Sequence, residues 1–168
     1  MCLLAACSPR FDWREIANSE AGYAALFPAR PALVTRTLPH GAQTLTLTLQ
    51  AAPVGQRYFA VGSAPLPATT EAALFWQSQL EAALLSNLDA QVTQAHAPQA
   101  PVLRDISASG TLRAQRGDAA GVPAKLRARF YLHHDRLYEV FVMAPAAEWD
   151  DEAVETFFTG FKLLDQQS

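Results

Sequence analysis

The chain has 168 residues, of which 50% are hydrophobic and 17% charged, with a net charge of -3. That is enough apolar material for one domain, and too little charge for a disordered chain or a strongly basic nucleic-acid binder. No apolar run reaches the ~18 residues of a membrane-crossing helix. Alanine supplies 32 residues and fills a core poorly, so packing must rest on leucine, valine and phenylalanine.

Both cysteines, Cys2 and Cys7, fall within the first seven residues. Beyond them there is no thiol for a disulfide, a metal site or a nucleophile. An apolar stretch ending in small residues reads as the tail of a secretory signal. Leu4-Ala5-Ala6-Cys7 resembles the lipobox of bacterial lipoproteins. The resemblance implies cleavage before Cys7, a lipid anchor on that residue and, from Ser8, an outer-membrane lipoprotein facing the periplasm of the cell envelope. A signal also needs a basic start and about 7–15 apolar residues, whereas no Lys or Arg precedes Cys7. Residues 1–7 are therefore read as a signal remnant. The alternative is a cytosolic accessory protein in which the four residues match by chance.

Residues 8–21 are polar and mixed, and read as a tether with one helical turn near Trp13-Arg14-Glu15-Ile16. The globular domain is placed at residues 22–165. Tyr23 to Phe27 is a short strand stopped by Pro28 and Pro31. A second strand, Ala32 to Leu38, runs into the turn Pro39-His40-Gly41. Across residues 43–51, Leu45, Leu47 and Leu49 alternate with Thr44, Thr46 and Thr48, the mark of a half-buried strand. A fourth strand spans Arg57 to Ser63.

Thr69 or Thr70 then caps a helix. Trp76, Leu80, Leu84, Leu88 and Val92 recur every four residues, predicting about six turns. Strands follow from Val102 to about Gln115, from Lys125 to Leu132 and from Leu137 to Met143, the last two joined by His133-His134-Asp135-Arg136. Glu148, Asp150, Asp151 and Glu152 favour the start of a final helix. Its Val154, Phe157, Phe158 and Phe161 share one face, and Gly160 is a candidate C-cap.

This order of elements makes an α+β domain: a single antiparallel sheet of about six to seven strands with two main helices. The chain resembles the PsbP-like sandwich. The resemblance rests on Gly22-Tyr23-Ala24-Ala25-Leu26-Phe27-Pro28-Ala29-Arg30-Pro31, on Arg136-Leu137-Tyr138-Glu139-Val140-Phe141-Val142, and on Phe157-Phe158-Thr159-Gly160-Phe161-Lys162-Leu163. It implies docking or accessory roles more often than catalysis, with helices on both sides of the sheet. The polar faces of several strands argue instead for a sheet partly open to water.

No phosphate loop, His-Glu-x-x-His or nucleophile elbow occurs, and no cofactor or enzymatic activity is expected. Between residues 102 and 136 seven basic side chains outweigh three acidic ones, while residues 139–168 hold seven acidic side chains and one lysine. If the two strands flanking residues 116–124 pair, Arg113, Arg127 and Arg129 share a face with Thr111. That face could receive a protein partner or an anionic ligand. The alternative is neutralisation by the acidic final helix. His133, His134 and Asp135 are weak candidates for a metal site, because adjacent histidines on an extended chain point to opposite faces unless a special turn intervenes. The leading reading is a lipid-anchored, non-catalytic binding or assembly module. The alternative from another class is a periplasmic enzyme or metal-binding protein built on His133, His134 and Asp135.

Overall fold

A computed structural model describes residues 10–66, 69–113 and 121–165. In chain order these form β1 (Arg14–Asn18), β2 (Tyr23–Phe27), β3 (Ala32–His40), β4 (Gln43–Val54) and β5 (Arg57–Pro65). Then come α1 (Thr70–Asn87), β6 (Gln91–His96), β7 (Val102–Leu112), β8 (Val122–His133) and β9 (Arg136–Pro145). A short 3₁₀ turn, Ala146–Glu148, leads into α2 (Asp151–Thr159) and β10 (Lys162–Leu163). Seven strands make one antiparallel sheet in the order β3-β4-β5-β9-β8-β7-β6, and a smaller sheet has the order β1-β2-β10. The α+β class and the large antiparallel sheet agree with the sequence reading; the small second sheet is an addition to it.

Alternation decides which layer each strand feeds. Leu45, Leu47 and Leu49 of β4, Ala60 of β5, Phe141 of β9, Leu126 and Phe130 of β8 and Ile106 of β7 pack against Trp76, Leu80, Leu84 and Leu88 at α1. The opposite residues of the central strands, Phe59, Val61, Val140 and Val142, meet Phe27 of β2, Phe157 and Phe158 of α2, and Phe161. Strands β5 and β9 are thus covered on both faces and read as nearly continuous apolar runs. The β3–β4 end is different: Thr35, Thr37, Thr44 and Thr46 stay exposed. The sheet is thus partly open to water, at that end, while its centre is covered on both faces.

Both helix starts follow the sequence. The Thr69 hydroxyl accepts from the Ala72 N–H at 3.2 Å, and the Asp150 carboxylate from the Ala153 N–H at 3.0 Å. Three boundaries need correction. Residues 14–18 are not a helical turn in a tether but β1, paired along β2 from Arg14 opposite Phe27 to Asn18 opposite Tyr23. Just before it, the Phe11 and Trp13 rings lie edge-on to Phe59 at 6.4 Å, so aromatic packing ties down a stretch whose composition is polar. Helix α1 stops at Asn87, one turn short of Val92. The Ala90 N–H bonds the Leu85 carbonyl at 2.8 Å and the Asp89 N–H bonds Ser86, with Asp89 at φ 46 where glycine is usual. Val92 and His96 then belong to the edge strand β6. Finally, Lys162–Leu163 extends the small sheet along β2.

Candidate functional site

A cavity of about 460 Å³ opens between α1 and the large sheet, a size suited to a small-molecule ligand. Leu47 and Leu49 of β4, Leu80 and Leu84 of α1, and Phe141 of β9 form its apolar walls. Arg36, Gln56, Ala83 and Asn87, all exposed, mark its mouth. The alternation that puts leucines on one face of β4 therefore builds a wall, and the four-residue stripe of α1 faces it.

One residue of that lining breaks the apolar pattern. Glu139 lies on β9 between the inward positions Leu137 and Phe141, and only 3% of it is exposed. Opposite it on β5 stands Gly62. A Cβ at Gly62 would come within 2.7 Å of Glu139 Cγ, so this glycine is what leaves room for the carboxyl. Glu139 Oε2 is shielded from solvent and has no hydrogen-bond partner. Burial pushes its pKa up to about 8, against a smaller opposing pull from Arg36. At neutral pH the group thus holds its proton and can donate one hydrogen bond as well as accept others. A buried carboxyl left unpaired costs roughly 1–3 kcal/mol, a cost that a ligand's polar group would remove.

The α1 wall is held in place by a polar clamp. Arg104 of β7 grips the Glu81 carboxylate with two bonds of 2.9 and 3.0 Å, and Gln77 bonds the same carboxylate at 2.7 Å. Such a planar, two-point pair fixes orientation as well as distance.

The sequence-predicted residues lie elsewhere. Cys7 falls outside the described residues. Strands β7 and β8 do pair, with Ser107 opposite Arg127 and Asp105 opposite Arg129. Arg127 makes two bonds of 3.0 and 3.1 Å to the Asp105 carboxylate, which also accepts from Arg129 at 2.9 Å. Both guanidinium groups lie over the Phe158 ring, at 5.4 and 5.3 Å from its centre. Their counter-ion is therefore an aspartate of β7, not the acidic side chains of α2, which contributes an aromatic face instead. Arg113 sits exposed one residue past the end of β7.

His133 and His134 do converge, with ring centres 4.0 Å apart. The third group beside them is Asp165, not Asp135; what Asp135 contributes to packing is its carbonyl, which accepts from the Leu66 N–H at 2.7 Å. Motif and charge patterns in the sequence leave Glu139 out, although a charged residue at an inward position of an apolar strand is a readable signal.

No protein-family model matches the chain, and no curated protein matches it in sequence. Solved structures do match in fold. A cyanobacterial PsbP, CyanoP from Synechocystis sp. PCC 6803, is 13% identical with a TM-score of 0.50, over 94% of this chain and 95% of that one. A crystal structure from Bacteroides thetaiotaomicron VPI-5482 is 8% identical with a TM-score of 0.50, over 91% of this chain. The chain spans about half the length of the Bacteroides protein, 49%. At these identities the likeness is one of fold: the domain is PsbP-like in architecture.

Proposed function

We propose that this PsbP-like domain is a non-catalytic binding module of the bacterial cell envelope, tethered to the membrane through lipid on Cys7. Its cavity beneath α1 holds a small, mostly apolar ligand. The observation that carries the reading is the Glu139 carboxyl, unpaired on an apolar wall, in space that Gly62 leaves for it. Polar groups so placed orient a ligand whose body is held by apolar contact. The ligand expected is an apolar body with one hydrogen-bonding group for Glu139, and an anionic end would also suit Arg36 at the mouth. Among the described residues, the lining brings no histidine, cysteine or serine to the carboxyl.

The test is saturable binding of an apolar fluorescent anion, anilinonaphthalene sulfonate, to the folded protein. One-to-one binding is expected in the parent chain. It should be lost in Ala83→Trp, which closes the mouth from the exposed side of α1 without touching buried packing. Equal binding in both proteins would overturn the cavity reading. For the tether, intact mass from the native membrane fraction should show a chain beginning at Cys7 with an added diacyl or triacyl group. An unmodified chain in the cytosol would favour the accessory-protein alternative.

A further inference from the structure

We infer that His133, His134 and Asp165 form a binding site for a divalent transition-metal ion of the zinc class, at the tip of the β8–β9 hairpin. The inference is independent of the cavity.

The objection from sequence is that neighbouring residues on a strand face opposite ways. The hairpin removes it. Strand β8 ends at His133 and β9 begins at Arg136, so His134 occupies the first position of a two-residue turn, at φ 54. That left-handed backbone is uncommon outside glycine, though histidine is among the residues that adopt it. It swings the second imidazole beside the first.

The third donor arrives from the other end of the chain. Lys162–Leu163 pairs along β2, and the Leu164 N–H bonds the Gly22 carbonyl at 2.9 Å. The next residue, Asp165, therefore lies over the hairpin, with its Oδ1 3.8 Å from His133 Nε2. One donor atom from each of the three residues lies within 4.8 Å of the others. Tetrahedral zinc with bonds of about 2.0–2.2 Å spaces its ligand atoms roughly 3.3 Å apart. Small rotations of His134 and Asp165, both exposed, span that difference.

A second observation points the same way. His133 Nε2 is shielded from solvent and makes no hydrogen bond, although buried polar atoms nearly always find a partner. It is also the His133 nitrogen nearest to be shared with Asp165. Two neutral imidazoles and a carboxylate form a donor set that zinc, copper and nickel accept, with a fourth position left for water or a partner's side chain. Bound metal would join the hairpin tip to the C-terminal segment.

The experiment is calorimetric titration of the chelator-treated full chain with zinc chloride. One ion per chain is expected. Affinity should fall more than about tenfold in His134→Gly and in Asp165→Asn, and stay unchanged in Asp135→Asn, whose carboxylate is outside the cluster. Glycine suits the left-handed turn position, so His134→Gly keeps the hairpin; matching circular dichroism spectra confirm it. A parent chain that binds no zinc, or variants that bind it as tightly as the parent, would overturn the assignment. So would loss of binding in Asp135→Asn alone.

Discussion

The seven-stranded sheet lies between two layers built on different principles. On the α2 side, aromatic rings interlock: Phe27, Phe59, Phe157 and Phe158 meet at centre distances of 5.4 to 5.9 Å, and Tyr23, Tyr131 and Tyr138 gather round Phe161. On the α1 side, leucine and alanine predominate, and a cavity of about 460 Å³ remains beside an unpaired carboxyl. The same central strands serve both layers, so the difference comes from which side chains their two faces and the covering elements bring. A hollow of about 420 Å³ also lies beside α2, lined by polar side chains such as Lys125, Arg127, Asp151 and Glu155, whereas that beneath α1 is walled by leucine and phenylalanine. The two layers thus differ in the chemistry of the space they leave, polar beside α2 and mostly apolar beneath α1.

Mutations can break or sharpen that contrast. The largest effect is expected from Phe157→Ala, since Phe157 is fully buried among the aromatic rings; urea unfolding should show a loss of about 3–5 kcal/mol. The matching truncation on the other side, Leu84→Ala, widens space that already exists and should cost only about 2 kcal/mol. Equal costs, despite the smaller group removed at Leu84, would mean that the α1 layer is at least as tightly packed as the other.

Glu139 adds a pH signature to the α1 side alone. Its carboxyl is held at about 8 when folded and returns to the ordinary carboxylate range, ~4.3, when unfolded. An acid whose pKa rises on folding contributes stability that is complete below the unfolded value and is lost as pH climbs to the folded one. Stability should therefore fall between about pH 4.3 and pH 8, by up to roughly 1.4 kcal/mol per pH unit. Unfolding curves of Glu139→Gln should lack that slope, and a slope that survived would place the titrating group elsewhere. The smallest effect is expected from Thr69→Ala, which removes the α1 cap at about 1 kcal/mol, read as a lower thermal midpoint.

Much of this layout was legible in the sequence, and the omissions have physical causes. The Leu45–Thr48 alternation and the Pro39-His40-Gly41 turn identify the β3–β4 hairpin because both signals are local. Carboxylates followed by Val154, Phe157, Phe158 and Phe161 do the same for α2. Strand β6 was hidden because Val92 extends the four-residue stripe of α1, and because Asp89 ends the helix in glycine's usual place. Strand β10 has only two residues, too few for any period. At the cavity, Glu139 is readable as a charge in an apolar strand, but its lack of a partner is not. That depends on Gly62, β4 and α1, which chain proximity does not reveal. The same limit applies at the hairpin tip, where sequence offers Asp135 as the third group and folding supplies Asp165.

The pairing of β1 also bears on how far the domain can travel from a bilayer. The Asp12 N–H is already bonded to the Pro28 carbonyl, at 2.8 Å. If Cys7 carries the lipid, only four residues, a span of five Cα–Cα steps, lie between the anchor and Asp12. Fully extended, such a leash reaches about 18 Å, little more than the ~15 Å radius of gyration of a domain this size. The domain would ride against the head groups with the β1 side nearest the membrane. Any partner or ligand would have to come to it along the surface, because the protein could not swing out to meet one across the compartment.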